Sequence, residues 1–259
     1  PEETANLQDK NKIIYCSDHA MYEAEVHKRE NLKQKLWHPV DGMQESSRKI
    51  LNGCLTEFGH AQPIALNTLH KSAKELRVAE LVGHIMGTQH YHHGETPLGD
   101  AIFNKAQIYV GGTQLPWLVT LGGFGTRNMG GEDHASSRYA ETTLNKYVSN
   151  LLFPKLDMPL LEYIVDDGVR VEPKYFIPIL PTAILESTHQ PSDGWKIKTW
   201  ARNIDDVIRE TRYFIQNYTA DWKNQLYPSG LRPESRNFHG EFRYIRGKLN
   251  FVGNYWFDH

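Results

Sequence analysis

Several features that announce a function in other sequences are missing from this one. Only two cysteines are present, Cys16 and Cys54, so the chain has no disulfide framework and no four-cysteine zinc set, and a reducing compartment fits it best. No apolar run is long enough to span a bilayer, so we expect no membrane partner. The formal net charge is −2, which is not the basic excess typical of nucleic-acid-binding chains.

Two motifs of nucleotide and metal binding are also missing. The sequence contains no phosphate loop of the Walker type and no Asp-x-Asp-x-Asp run. What it does contain is typical of a globular protein: 259 residues, 39% of them hydrophobic and 11% aromatic, suffice for one large or two ordinary domains. The function must therefore be sought in individual segments.

The most informative segment runs from Gly122 to Tyr139, reading GGFGTR at its start and GGEDHASSRY at its end. Its glycines allow positive φ angles and the close approach of another backbone. Arg127 and Arg138 can each bind phosphate oxygens through two N–H groups. A tyrosine hydroxyl is a weak nucleophile, which a neighbouring arginine can activate while it stabilises charge on a phosphate under attack. Tyr139 is thus a candidate nucleophile, although a tyrosine beside an arginine is usually a packing residue.

A second polar segment, HYHHGE at residues 90–95, is rich in histidine. Imidazoles can transfer protons or hold phosphate near neutral pH. The region also invites a metal site, but its spacing matches no known zinc pattern. The residues considered for that metal site are His84, His90, His92 and Glu95. Surface histidines without a role are the third interpretation.

Apolar periodicity predicts three helices in the first half of the chain, over residues 46–58, 72–86 and 96–110. Ser46 or Ser47 would cap the first, with Arg48 and Lys49 as a solvated basic pair in its first turn. A capping box at Ser72 would open the second and Thr96-Pro97 the third, while glycines at 59 and 111 would end the first and third. The stripes expected to face the core are Ile50, Leu51, Cys54, Leu55 and Phe58, then Val78, Ala79, Val82, Ile85 and Met86, then Leu98, Ala101, Ile102, Lys105 and Tyr109. Three helices followed by a glycine-rich excursion are typical of a winged-helix module, whose wing would carry Tyr139.

The second half of the chain has weaker signals. A helical period covers residues 144–152. The adjacent aspartates in Asp166-Asp167-Gly168 invite a metal hypothesis, but Asp-Gly is a turn dipeptide and we predict a turn. Asn203 is placed to cap an amphipathic helix, and strands are expected around Gly247 and Gly253.

Together these segments resemble type IIA DNA topoisomerases, in the form of the eukaryotic and viral branch rather than bacterial gyrase. The resemblance is carried by VDGM at residues 40–43, YHHGE at 91–95, the two motifs of 122–139, DDGVRVEP at 166–173, FIPILP at 176–181 and NFHG at 237–240. Two departures matter. Gln44-Glu45 replaces the family's lysine and proline, and QPSDGW at residues 190–195 stands where the family has Gly-Ile-Gly-Thr-Gly-Trp. Pro191 therefore occupies the place of the isoleucine that wedges between base pairs.

The resemblance implies an α+β fold. A winged-helix domain with the catalytic tyrosine would occupy residues 39–160, and part of a mixed α/β tower domain would occupy residues 161–259. Residues 1–38, with a helix near Asp18 to Leu36, would connect to an upstream metal-binding domain. We expect the chain to be a fragment of a larger enzyme and to be inactive alone.

The resemblance also implies roles for individual residues. Tyr139 would attack a scissile phosphate to form a 5′-phosphotyrosyl link during transient double-strand cleavage. Arg138 would stabilise the transferring phosphate, and His93 would shuttle protons. The implied contacts with double-stranded DNA come from His92, Arg48, Lys49, Arg127 and Pro191. No residue of this chain is expected to bind a metal.

Partners and cofactors follow from the same resemblance. The enzyme would be a homodimer that drives strand passage with ATP and cleaves with Mg²⁺, both held by domains absent from this chain. It would be intracellular, in the host cytoplasm if viral and in the nucleus if cellular. The alternative function is a non-catalytic winged-helix DNA-binding protein, which would need no tyrosine after arginine in its wing. A metal-dependent hydrolase built on the histidine segment is the third hypothesis.

Overall fold

The computed structural model describes residues 25–29, 32, 35–58, 74–192, 195–218 and 231–253. Its α-helices are Glu45–Glu57 (α1), Val78–Thr88 (α2), Glu95–Asn104 (α3) and Ile204–Gln216 (α4). Its strands are Leu76–Arg77 (β1), Leu118–Leu121 (β2), Glu141–Leu144 (β3), Tyr163–Asp166 (β4), Val169–Pro173 (β5), Thr188–Ser192 (β6), Trp195–Thr199 (β7), Glu241–Ile245 (β8) and Lys248–Val252 (β9). Residues 25–29 are also helical, inside the helix predicted near Asp18 to Leu36, much of which lies outside the described residues. Within the described part, no helix is both long and apolar enough to cross a membrane.

Helix α1 forms where the apolar period predicts it. Its central apolar side chains are buried: Ile50, Leu51, Cys54 and Leu55. The helix begins at Glu45, one residue before the predicted start, and the residue before its first turn is Gln44, with no side-chain cap. The predicted serine cap is therefore wrong. The predicted stop at Gly59 lies outside the described residues.

Helix α2 starts later than predicted. Its N-terminal turn is closed by the backbone N–H of Arg77, which donates to the Glu80 carboxylate at 3.3 Å, whereas the capping box predicted at Ser72 lies outside the described residues. The buried face consists of Val78, Leu81, Val82 and Ile85. Ala79, which was expected to face the core, is exposed.

Helix α3 ends at Asn104, well before the predicted end at Gly111. The carbonyl of Lys105 accepts from the N–H of Trp117 at 2.9 Å instead of from a further helical turn. That bond turns the chain toward β2, so Tyr109 lies in a loop rather than on the helix.

The three helices pack against an antiparallel sheet whose strand order is β1-β3-β2. The register sets Arg77 opposite Glu141 and Leu118 opposite Leu144. Helices and sheet share one core, whose fully buried side chains include Leu51, Leu81, Ile85, Leu98, Ile102 and Leu118. This arrangement is a winged helix, with residues 122–140 between β2 and β3 forming the wing. It confirms the predicted α+β fold.

The helical period over residues 144–152 predicted the wrong structure. Leu144 is the last residue of β3, and only Val148–Leu152 are helical, as a single π-type turn. Pairing of β3 with β2 overrides the local period, since it buries Leu144 against the core. Leu151 is 61% exposed, so its expected core role is also wrong.

The second half consists of α4 and three antiparallel hairpins, β4–β5, β6–β7 and β8–β9. The Asn203 side chain accepts from the N–H of Asp206 at 3.1 Å, which confirms the predicted cap of α4. Positive φ angles at Asp167 and Gly168 confirm the predicted Asp-Gly turn between β4 and β5. The β8–β9 hairpin reverses at Gly247, as predicted.

The VDGM segment joins the two halves. The Asp41 carboxylate accepts from the N–H of Met43 at 2.9 Å and from that of Phe176 at 3.0 Å. Gly42 has φ +67°, and a Cβ there would lie 2.4 Å from the Cα of Ala183. The Asp-Gly pair is thus fixed by backbone contact with the second half. The domain boundary after residue 160 stays a prediction.

Candidate active site

The wing is held against the loop after α3 by the buried side chain of Gln107. Its amide nitrogen donates to the carbonyls of Phe124 and Gly131, each at 3.1 Å. A Cβ on Gly131 would lie 2.3 Å from that nitrogen, and a Cβ on Gly125 would lie 2.4 Å from the Gly131 carbonyl oxygen. Both glycines have φ near +90°. The glycines are therefore required for close approach, as the sequence suggested.

A carboxylate closes the wing loop from the inside of its turn. Asp133 accepts from the backbone N–H and the hydroxyl of Thr126, both at 2.7 Å. These hydrogen bonds lower the pKa of Asp133 below its ordinary value. From the loop after α3, the Tyr109 hydroxyl donates to the carbonyl of Gly130 at 2.8 Å. The wing is thus a braced loop rather than a free excursion.

Tyr139 lies at the end of this braced wing. Its backbone N–H donates to the carbonyl of Ser136 at 2.8 Å, and the next residue, Ala140, is buried and accepts from the N–H of Val78 at 2.9 Å. The side chain nevertheless is 75% exposed, and within the described part of the chain its hydroxyl has no hydrogen-bond partner. A fixed backbone with a solvent-facing hydroxyl is the arrangement that an external electrophile requires.

The two arginines of the segment are exposed as well. Arg138 precedes the tyrosine, and Arg127 opens a short 3₁₀ turn at the wing tip. Among the residues that the structure describes, neither guanidinium has an ion-pair partner. Both are therefore free to bind phosphate oxygens.

The histidine segment follows α2 and lies beside the β4–β5 hairpin. His92 Nε2 lies 3.2 Å from Asp166 Oδ2, and His90 Nδ1 lies 3.4 Å from the same oxygen. The hydrogen bond from His92, with the positive charge of His90, lowers the pKa of Asp166. His93 is exposed and packs edge-on against Tyr91 at 5.4 Å between ring centroids. The described residues contain no hydrogen bond between His93 and Tyr139.

Arg48 and Lys49 are not the solvated pair that the sequence suggested. Arg48 is buried and donates to the Met43 carbonyl at 2.8 Å. Lys49 is buried and donates to Glu172 Oε2 and to the Gln89 carbonyl, both at 2.8 Å. These contacts within the protein arise because the β5 and Gln89 segments cover the start of α1. Contact of the pair with DNA stays a prediction.

A polar groove of about 400 Å³ separates the start of α1 from the histidine segment. Glu45, at the departure from the family's lysine and proline, adds a negative charge to its wall, and Gln44 donates to the Lys35 carbonyl at 2.5 Å. The residues lining the groove are Lys35, Gln44, Glu45, Ser46, Lys49, Tyr91, His92 and His93. The groove thus joins the sequence-predicted histidines to the start of α1.

Pro191 lies in strand β6, opposite Lys196 of β7, and its side chain is exposed. The hairpin has two strands, so a proline without an N–H is accommodated on the open edge. The structure thus places Pro191 in a strand near a hairpin turn rather than in an ordinary loop. Its insertion between base pairs stays a prediction.

Sequence reasoning missed the residues that brace the site. Gln107 and Asp133 hold the wing, and Glu172 holds Lys49 across 123 positions of sequence. Asp133 is part of the wing motif, but its bond to Thr126 has no spacing signal. A pairing as distant as Lys49 with Glu172 leaves no trace in local periodicity.

Comparison with known proteins adds a family to this geometry. The sequence profile of the DNA gyrase/topoisomerase IV family matches residues 36–255. The chain is 33% identical over 256 residues to DNA topoisomerase 2 of African swine fever virus, covering 95% of this chain and 20% of that protein. It is 38% identical over 208 residues to DNA topoisomerase 2 of Arabidopsis thaliana, covering 80% of this chain and 13% of that protein.

A solved structure is similar as well. The DNA-binding, cleavage and re-ligation domain of Plasmodium falciparum topoisomerase II matches with a TM-score of 0.70 and 28% identity, over 84% of this chain and 27% of that chain. The chain thus spans about a fifth or less of the length of the two curated relatives above. Because the profile match covers most of the sequence, and relatives and fold agree with it, the chain belongs to the DNA gyrase/topoisomerase IV family of type IIA topoisomerases.

Proposed function

We propose that this chain is part of the DNA gate of a type II topoisomerase and that Tyr139 is its nucleophile. The observation that carries the proposal is the exposed hydroxyl of Tyr139 on a backbone fixed to the start of α2, with the exposed Arg138 beside it. The Tyr139 oxygen attacks phosphorus in the DNA backbone. The new O–P bond forms as the P–O3′ bond breaks, which leaves a 5′-phosphotyrosyl link and a 3′-hydroxyl.

Two neighbouring groups assist this step. Arg138 offers up to two N–H groups to the phosphate oxygens, where negative charge accumulates in the transition state. His93 moves the proton that leaves the tyrosine, since an imidazole accepts and returns protons near neutral pH. Religation is the reverse attack by the 3′-hydroxyl, so no energy of the phosphodiester bond is lost.

DNA binds along the polar face that holds these residues. His92 and Arg127 are exposed and contact the DNA backbone. Arg48 and Lys49 reach phosphate only where DNA replaces their partners within the protein. Pro191, exposed on β6, provides an apolar wedge of the kind that unstacks a base step.

Assembly and cofactors complete the proposal. Two copies act as a homodimer, each cutting one strand, while a second duplex passes through the gap. Mg²⁺ and ATP are bound in parts of the enzyme outside these 259 residues. Among the described residues, the one group with converging metal ligands is His90, Asp166 and Asp167, and its imidazole does not suit Mg²⁺, which prefers oxygen. The enzyme acts inside the cell, in the host cytoplasm if it is viral and in the nucleus if it is cellular.

Replacement of Tyr139 by phenylalanine tests the proposal. The change removes one exposed oxygen, so folding is retained and covalent protein–DNA complexes, trapped by denaturant after incubation of the full-length enzyme with Mg²⁺ and plasmid, disappear. Tyr244→Phe is the matched control, because Tyr244 is 72% exposed on β8 and should leave the yield unchanged. A normal yield from Tyr139→Phe contradicts the assignment. Retained DNA binding without any covalent complex in the unaltered enzyme would favour the alternative, a non-catalytic winged-helix protein.

A further inference from the structure

A cluster of potential metal ligands lies where the histidine segment meets the β4–β5 hairpin, apart from Tyr139. His90, Asp166 and Asp167 each offer one ligand atom, and these atoms all lie within 4.8 Å of one another. His90 and Asp166 are half-buried, and Asp167 is exposed. The roles proposed above for Tyr139, Arg138 and His93 use none of these three side chains.

The turn geometry gathers the two carboxylates on one side of the hairpin. In an extended strand, successive side chains point to opposite faces, so adjacent aspartates would diverge. Asp167 instead has φ +46°, in the left-handed region, which ends the strand after Asp166. His90 also has φ +46°, and its ring faces the same carboxylate.

The spacing fits metal coordination better than a direct hydrogen bond. The distance from His90 Nδ1 to Asp166 Oδ2 is 3.4 Å, longer than the roughly 2.7–3.2 Å of an ordinary N–H···O bond. Two ligands each about 2.0–2.1 Å from a tetrahedral zinc ion lie about 3.4 Å apart. An ion between these two atoms would therefore need no movement of either side chain, and Asp167 supplies a third oxygen within reach.

We infer that His90, Asp166 and Asp167 form a binding site for a divalent transition-metal ion such as Zn²⁺. One imidazole with two carboxylates suits zinc, and water completes the fourth position. The bound ion ties the segment that carries His92 and His93 to the β4–β5 hairpin. This inference stands independently of the role of Tyr139.

Calorimetric titration of the untagged, chelator-treated 259-residue chain with ZnCl₂ tests the site. We expect one equivalent of zinc to bind, and at least roughly tenfold weaker binding by His90→Gln and by Asp167→Asn. His84→Gln is the matched control, because His84 pairs with Glu57 on α1 and belongs to no such cluster among the described residues. Circular dichroism checks that each variant is folded.

A second probe identifies the ligands. Co²⁺ in place of Zn²⁺ gives visible absorption whose intensity reports tetrahedral coordination, and this signal should vanish in His90→Gln while a large excess of Mg²⁺ leaves it unchanged in the unaltered chain. Absence of zinc binding, or equal binding by the unaltered chain and both ligand variants, would overturn the inference. Displacement of Co²⁺ by Mg²⁺ would overturn the assigned metal class.

Discussion

Lys49 offers the sharpest test of how the start of α1 is used. Its ammonium donates to Glu172 Oε2 and to the Gln89 carbonyl, both at 2.8 Å, and the two charged side chains are 7% and 1% exposed. Lys49→Met therefore leaves Glu172 as a buried charge without its partner. Loss of one member of such a pair costs about 3–5 kcal/mol, so the free energy of unfolding should fall by that amount.

Urea denaturation followed by circular dichroism measures the loss. The double variant Lys49→Met/Glu172→Leu should recover much of it, since replacing both charges removes the unpaired carboxylate. Lys35→Met is the matched control, because Lys35 lies in the same groove but is exposed, and its unfolding should change by no more than about 0.5 kcal/mol. If Lys49→Met unfolds at the unaltered urea concentration while DNA affinity drops, Lys49 is a DNA contact and not a structural ion-pair partner.

Three further predictions concern the wing, the second half and the proton path. Gly131→Ala places a Cβ 2.3 Å from Gln107 Nε2 at φ +88°, so limited proteolysis should cut the wing faster while thermal unfolding of the helices changes little; equal cleavage rates would contradict the bracing. Hydrogen bonds from Arg232 hold the pKa of Asp206 well below its usual range, so its stabilisation is complete above about pH 4 and lost as the pH falls further. Asp206→Asn should therefore flatten the acid-range dependence of urea unfolding, and an unchanged slope would refute this. His93→Ala should slow DNA cleavage by the full-length enzyme roughly 10²-fold with little change in DNA affinity, and an unchanged rate would remove His93 from the proton path.

Local patterns predicted the elements that local forces determine. The apolar period placed α1, α2 and α3, because each buries one face in a shared core. The glycines of the wing were interpreted as sites of close backbone approach, and Gly125 against the Gly131 carbonyl confirms this. The Asp-Gly turn after β4 and the Asn203 cap of α4 were likewise predictable, since both depend on one or two adjacent residues.

Features that depend on distant partners could not be predicted. Leu144 follows a helical period but joins a strand, because pairing with Leu118 buries it more effectively than a helix would. Arg48 and Lys49 have the composition of a solvated helix start, yet segments far along the sequence cover them. The neighbours of Asp166 are set by the meeting of a loop and a hairpin, and no spacing rule connects positions 90 and 166.

The central claim is that the oxygen of Tyr139 becomes bonded to DNA. The most direct measurement is mass spectrometry of the trapped covalent complex after nuclease and protease digestion, which locates the residue that retains a nucleotide phosphate. We predict the adduct on the peptide that contains Tyr139, attached to the 5′ end of the broken strand, with the 3′ end a free hydroxyl. An adduct on any other residue, with Tyr139 unmodified, or attachment to the 3′ end, would contradict the account.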